Sequence, residues 1–156
     1  MGMLFFGCKT QLVERGLKFT ITSTEDYCGG AYPPEELLAQ LKTPKAFNGT
    51  LYIHKTSDRS DDGIAIILKE GTANQSGFVE GKYFIFREMK VNMEELHKPK
   101  EEEEEERTVN GLPPRDIGCI IMKNHLIIGQ FTITNETKEV TQNINLVCDP
   151  CGEPKP

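Results

Sequence analysis

The chain has 156 residues, 37% of them apolar and 8% aromatic with no Trp, enough for one ordinary core in one domain and not for two. Its 24 acidic and 18 basic residues give a formal charge of -6, but six of the acids form the unbroken Glu run at 101–106, without which the balance is neutral. No Lys/Arg cluster is present to release counterions from a phosphate backbone, which argues against a nucleic-acid partner, and no stretch approaches the roughly 18 apolar residues that cross a bilayer as a helix.

In chain order, Met1-Gly2-Met3-Leu4-Phe5-Phe6-Gly7-Cys8 comes first. It resembles the end of a bacterial lipoprotein signal, in which small residues precede a Cys that becomes acylated. Cys8 is therefore the lipidation candidate, and residues 1–15 read as a tether or signal remnant. Leu17-Lys18-Phe19-Thr20-Ile21-Thr22 alternates apolar with polar and predicts a strand burying Leu17, Phe19 and Ile21. Cys28-Gly29-Gly30 and Pro33-Pro34 break it. A short helix follows, with Glu35 and Glu36 at its start, Leu37, Leu38 and Leu41 on one face, and Pro44 after it.

Asn48-Gly49 is a turn, and Thr50-Leu51-Tyr52-Ile53-His54 a strand. The loop from Ser57 to Gly63 leads to Ile64-Ala65-Ile66-Ile67-Leu68, an apolar run read as a buried strand, and residues 71–77 read as a polar turn. In Tyr83-Phe84-Ile85-Phe86, Tyr83 and Ile85 point one way and Phe84 and Phe86 the other, so both faces are expected to be covered. The Glu run lies in a segment, 94–114, that cannot bury apolar surface and is expected to be a mobile acidic loop. Residues 117–122 and 126–134 predict strands joined by a hairpin at Lys123-Asn124-His125. A last strand at 140–147 closes the domain, and residues 149–156 form a Pro/Gly-rich tail.

These elements predict an all-β fold: an antiparallel β-sandwich of seven or so strands, of transthyretin or immunoglobulin type, spanning residues 16–148 with one short helix. The order of an early strand, Cys28-Gly29-Gly30 with prolines, Thr43-Pro44-Lys45, Leu51-Tyr52-Ile53, the group from Thr72 to Gly77-Phe78, and Gly81-Lys82-Tyr83 is similar to the carboxypeptidase regulatory-like domains. The likeness covers about residues 16–86, with Glu80 where the family has Pro. It implies a transthyretin-like sandwich of the kind common in exported proteins of Bacteroidetes-type bacteria, serving as a non-catalytic accessory or anchoring module. The shared motif is a folding motif, so it carries no functional residue with it.

With Cys8 set aside for lipid, Cys28, Cys119, Cys148 and Cys151 are an even set of disulfide candidates, whose three pairings the sequence leaves open. Disulfides persist outside the reducing cytosol, so this points to the cell envelope or beyond. Cys148-Asp149-Pro150-Cys151 has the spacing of redox and metal motifs. A redox pair needs a helix after its first Cys, and zinc needs about four ligands, whereas His54, His97 and His125 are isolated; His54, at a strand end, and His125, in a turn, read as solvent-facing. Asp58, Asp61, Asp62 and Glu70 lack calcium-loop spacing and read as a solvated turn.

No nucleophile elbow, catalytic triad or phosphate loop is present, so no catalytic, cofactor-binding or metal residue is assigned. The expected function is a non-catalytic exported or lipid-anchored cell-envelope module for binding or assembly. Its partner would be a protein or envelope component, with membrane contact only through a lipid on Cys8 and no cofactor. The alternative is a small metal-binding protein using Cys148, Cys151 and a histidine.

Overall fold

The computed structural model describes residues 13–92, 109–111 and 117–149. The Leu17, Phe19, Ile21 alternation lies inside β1 (Arg15–Glu25), and all three side chains are buried. The chain then enters α1 (Glu35–Lys42), with acids in the first turn and Lys42 in the last, each charge at the helix pole that favours it. α1 buries no residue fully; Leu38 and Leu41 are half-buried, and Lys42 Nζ pairs with Asp26 Oδ1 at 2.9 Å on the surface. The remaining elements are β2 (Lys45–Ala46), β3 (Gly49–His54), β4 (Ile64–Leu68), β5 (Thr72–Phe78), β6 (Gly81–Phe86), α2 (Ile117–Asn124), β7 (Ile127–Ile133) and β8 (Glu139–Leu146).

These strands make two four-stranded sheets, one mixed and one antiparallel, arranged as a β-sandwich. In the first, β8 runs parallel to β1 from Lys18↔Glu139 to Glu25↔Leu146. A strand has two edges, so β5 and then β2, both antiparallel, share the other edge of β1. They meet where Ile21 N–H donates to Gly71 O at 2.7 Å and Phe47 N–H donates to Ile21 O at 3.0 Å. Gly71 has φ +79, and a Cβ there would stand 2.9 Å from Ile21 O, so the junction requires glycine. The second sheet is antiparallel in the order β4-β3-β6-β7. β4 passes to β5 through a two-residue turn with positive φ at Glu70 and Gly71, the mirror-image turn that suits strand twist.

The core lies between the sheets. Phe19, Phe78, Tyr83 and Phe131 form its aromatic centre, with Tyr83 and Phe131 stacked at 5.4 Å. Leu51, Ile53, Ile66, Leu68, Ile85, Ile133, Val140 and Ile144 surround them. Each fully buried side chain of this kind contributes about 1.5–3 kcal/mol relative to exposure. The buried Tyr83 hydroxyl is satisfied locally, donating to Val79 O at 2.8 Å and accepting from Val79 N–H at 3.1 Å.

Several expectations are corrected. Residues 117–122 belong to the helix α2 and not to a strand, so the hairpin at Lys123-Asn124-His125 is absent and a second helix joins the first. The run Ile117-Gly118-Cys119-Ile120-Ile121-Met122 is rich in β-branched residues, but tertiary anchoring of Cys119 and Asn124 overrides that preference. β8 is parallel to β1, because alternation sets which side chains face inward and says nothing of strand direction. Residues 72–77, expected in a turn, belong to an edge strand whose less exposed positions are Ala73, Gln75 and Gly77, with Phe78 buried at its end. β4 is likewise an edge strand with Ile67 66% exposed, not a buried one. Arg15, expected in the tether, starts β1. Apart from 109–111, the segment 94–114 lies outside the described residues, as does the tail from 150.

Candidate functional site

The inward series of β1 is Leu17, Phe19, Ile21, Ser23 and Glu25, so the inner face turns from apolar to polar at one end of the sandwich. β2 pairs Lys45 opposite Ser23, which puts both side chains on the same face. Here the sheets part around a cleft of about 460 Å³, lined by Ser23, Glu25 and Lys45, by Gln40, Leu41 and Thr43 from α1 and its end, by residues 46–50, by Arg87 and Glu88 after β6, and by Leu146. That volume lies within the range of small-ligand pockets. A recess of about 130 Å³ adjoins it through Arg87, Glu88 and Leu146 and ends at Lys123, Cys148 and Asp149.

Ser23 is only 9% exposed, yet its hydroxyl makes no hydrogen bond among the described residues. Lys45, Arg87 and Glu25 also have no ion pair or side-chain hydrogen bond there. Glu88, by contrast, is engaged by Lys123 at 3.4 Å, and Lys123 also reaches Asp149 at 3.0 Å. The Asp149 hydrogen bond, followed by the pull of Glu88, raises the Lys123 pKa against the opposing effect of burial. The cleft thus presents two unneutralised cations, one unpaired carboxylate and a group of hydroxyl and amide side chains.

The wall bearing Arg87 and Glu88 is held from behind. Arg59, 1% exposed, lies over the Phe86 ring at 4.2 Å, and its guanidinium donates to Asn124 O at 2.8 Å and to Glu88 O. Asn124, at the end of α2, donates its side-chain amide to Met89 O at 2.6 Å. His54 completes this second, smaller core. Its ring packs edge-on to Phe86 at 5.5 Å, and its Nδ1–H donates to Asp61 Oδ1 at 3.2 Å, since an ionised carboxylate only accepts. Asp61 also accepts from Lys55 N–H at 3.1 Å. Burial alone would raise its pKa, but this hydrogen bond and His54 bring it below the ordinary value. Gly63, φ +73, passes so close that a Cβ would stand 2.5 Å from the His54 ring.

Of the residues singled out from the sequence, Cys28 and Cys148 form a disulfide with Cα atoms 5.5 Å apart, just beyond the last paired residues of β1 and β8. Cys119 is also disulfide-bonded. Cys8, His97 and Cys151 lie outside the described residues. The expected solvent-facing role of His54 is overturned by its 2% exposure, because the loop after β3 folds back over the sheet; His125 is exposed in the turn after α2. Asp58 accepts from Ser60 N–H within that loop. Among the described residues, no group of three or more His, Cys, Asp or Glu is arranged to hold a metal. The bridged Cys148 sulfur has no thiolate to offer a metal while the bond is intact.

Ser23, Lys45, Arg87 and Arg59 were not singled out from the sequence. For Ser23 and Glu25 a signal exists: the odd-numbered series of β1 turns polar while the strand continues. For Arg59, inside a loop of Ser and Asp, there is none.

No family model, curated protein or solved structure matches this chain.

Proposed function

We propose that the chain is a non-catalytic, exported or lipid-anchored module of the cell envelope, a transthyretin-like β-sandwich that binds or assembles with a protein or envelope component. The observation that carries this reading is the Cys28–Cys148 bridge, which joins the ends of the first and last strands across 120 residues. Such a bond persists in oxidising compartments and is lost to reductants in the cytosol. The likeness to carboxypeptidase regulatory-like domains supports an accessory role, and Cys8 supplies the point for a lipid. The cleft is the ligand-facing part of the module: it is open, polar and backed by a rigid sheet.

Fractionation of cells producing the full chain tests the reading. The protein is expected in the envelope or the medium, with Cys28 and Cys148 resisting alkylation until a reductant is added. Recovery from the cytosol with both thiols alkylated in native extracts overturns it.

A further inference from the structure

We infer that the cleft between the β1–β2 edge and the segment after β6 binds a small hydroxyl-rich acid of the uronate class. This rests on the reading of the chain as a binding module and names the chemistry of its ligand. The first support is charge. Lys45 and Arg87 both line the cleft, neither side chain is neutralised among the described residues, and Glu88 is already engaged by Lys123. An Arg fork grips a planar carboxylate through two parallel hydrogen bonds, and a Lys adds a point charge beside it.

The second support is Ser23. Its hydroxyl has no protein partner and keeps solvent access at the head of the open cleft, where a ligand hydroxyl can take the place of water. Gln40 lies in the same lining with its amide uncommitted, and the free Glu25 carboxylate accepts from ligand hydroxyls. A bare carboxylate would leave these groups unused, and a neutral sugar would leave the two cations unused. A molecule carrying both functions uses both. Apolar lining is sparse, and the nearest ring, Phe47, is itself buried, so the cleft has no exposed aromatic face on which a base could stack.

Calorimetric titration of the purified oxidised chain with glucuronate, glucose and acetate tests this. Glucuronate is expected to bind, with glucose and acetate each at least about tenfold weaker. Arg87→Gln, at an exposed position that does not threaten folding, is expected to weaken glucuronate by about tenfold or more while leaving glucose unchanged. Ser23→Ala is expected to weaken both sugars, and Lys138→Gln, outside the cleft, neither. Equal binding of glucuronate by Arg87→Gln and the parent overturns the proposal. So does an absence of glucuronate binding, or preference for an acidic peptide over it. A failure of this kind in a chain still recovered oxidised from the envelope removes the ligand class and leaves the module reading in place.

Discussion

Arg59 is the side chain on which the wall of the cleft depends. Its charge is taken out of water and matched by two backbone carbonyls and the face of Phe86, not by a carboxylate, and its Nε has no partner. Burial lowers its pKa, partly offset by Tyr52, Asp61 and Glu88, yet an arginine so placed keeps its proton. Replacing it by Met keeps much of the volume but leaves Glu88 O and Asn124 O without their donor. Arg59→Met is therefore expected to destabilise the fold by about 2–4 kcal/mol in urea unfolding and to speed amide exchange after β6. A loss below about 0.5 kcal/mol contradicts the role given to it. None of this is legible in Ser57-Asp58-Arg59-Ser60-Asp61-Asp62-Gly63, whose composition is that of a solvated loop.

At the scale of elements, the β1–β8 pair is the seam that closes the fold. Side-chain rungs reinforce its parallel ladder on the outer face: Thr20 donates to Glu139 at 2.8 Å, Thr22 to Asn143 at 3.1 Å and Thr24 to Asn145 at 3.0 Å. Asn145 in turn donates to Asp26, which also holds Lys42 of α1. The Cys28–Cys148 bridge lies directly beyond these rungs. Closing a loop of this length removes chain entropy from the unfolded state, so the double substitution Cys28→Ala, Cys148→Ala is expected to cost about 3–5 kcal/mol. Unfolding by denaturant under oxidising conditions measures it, and a midpoint equal to the parent's shows that the bridge does not constrain the chain. The two strands and the cysteines beside them were legible from alternation and counting. Their pairing and its parallel sense were not, because alternation carries no strand direction, and the partner edge is left free only after β5 and β2 have taken the other.

At the scale of the molecule, the titrating groups favour a plateau of stability through neutral pH. Asn145, then Lys42, lower the Asp26 pKa, and Thr56 and Ser60 lower that of Asp58. Asp61 is lowered by the Lys55 N–H and His54 against its own burial. A carboxylate with a lower pKa in the folded state contributes stability above its unfolded value, and the contribution is lost as pH falls through the folded value. Lys123, raised, contributes below its unfolded value and loses the contribution as pH climbs through the folded one. The melting temperature is thus expected to fall as pH drops through and below the ordinary carboxylate range, and less steeply in Asp26→Asn. A flat profile through that range contradicts the assignment. The groups are exposed enough that each effect is small and weakens with salt.

The sequence by itself determined that most of the described chain forms short strands, that Leu17, Phe19, Ile21, Leu51, Ile53, Tyr83 and Ile85 form the core, and that α1 lies between the first strand and the second. Alternation and turn residues are local, and burial follows from them wherever one face must leave water. Only the tertiary structure decided that Ile117–Asn124 is helical, that β8 runs parallel to β1, that His54 and Arg59 are buried, and that Ser23, Lys45 and Arg87 line one cleft. Each of these depends on groups far apart in the chain competing for the same space, and no local pattern carries that information.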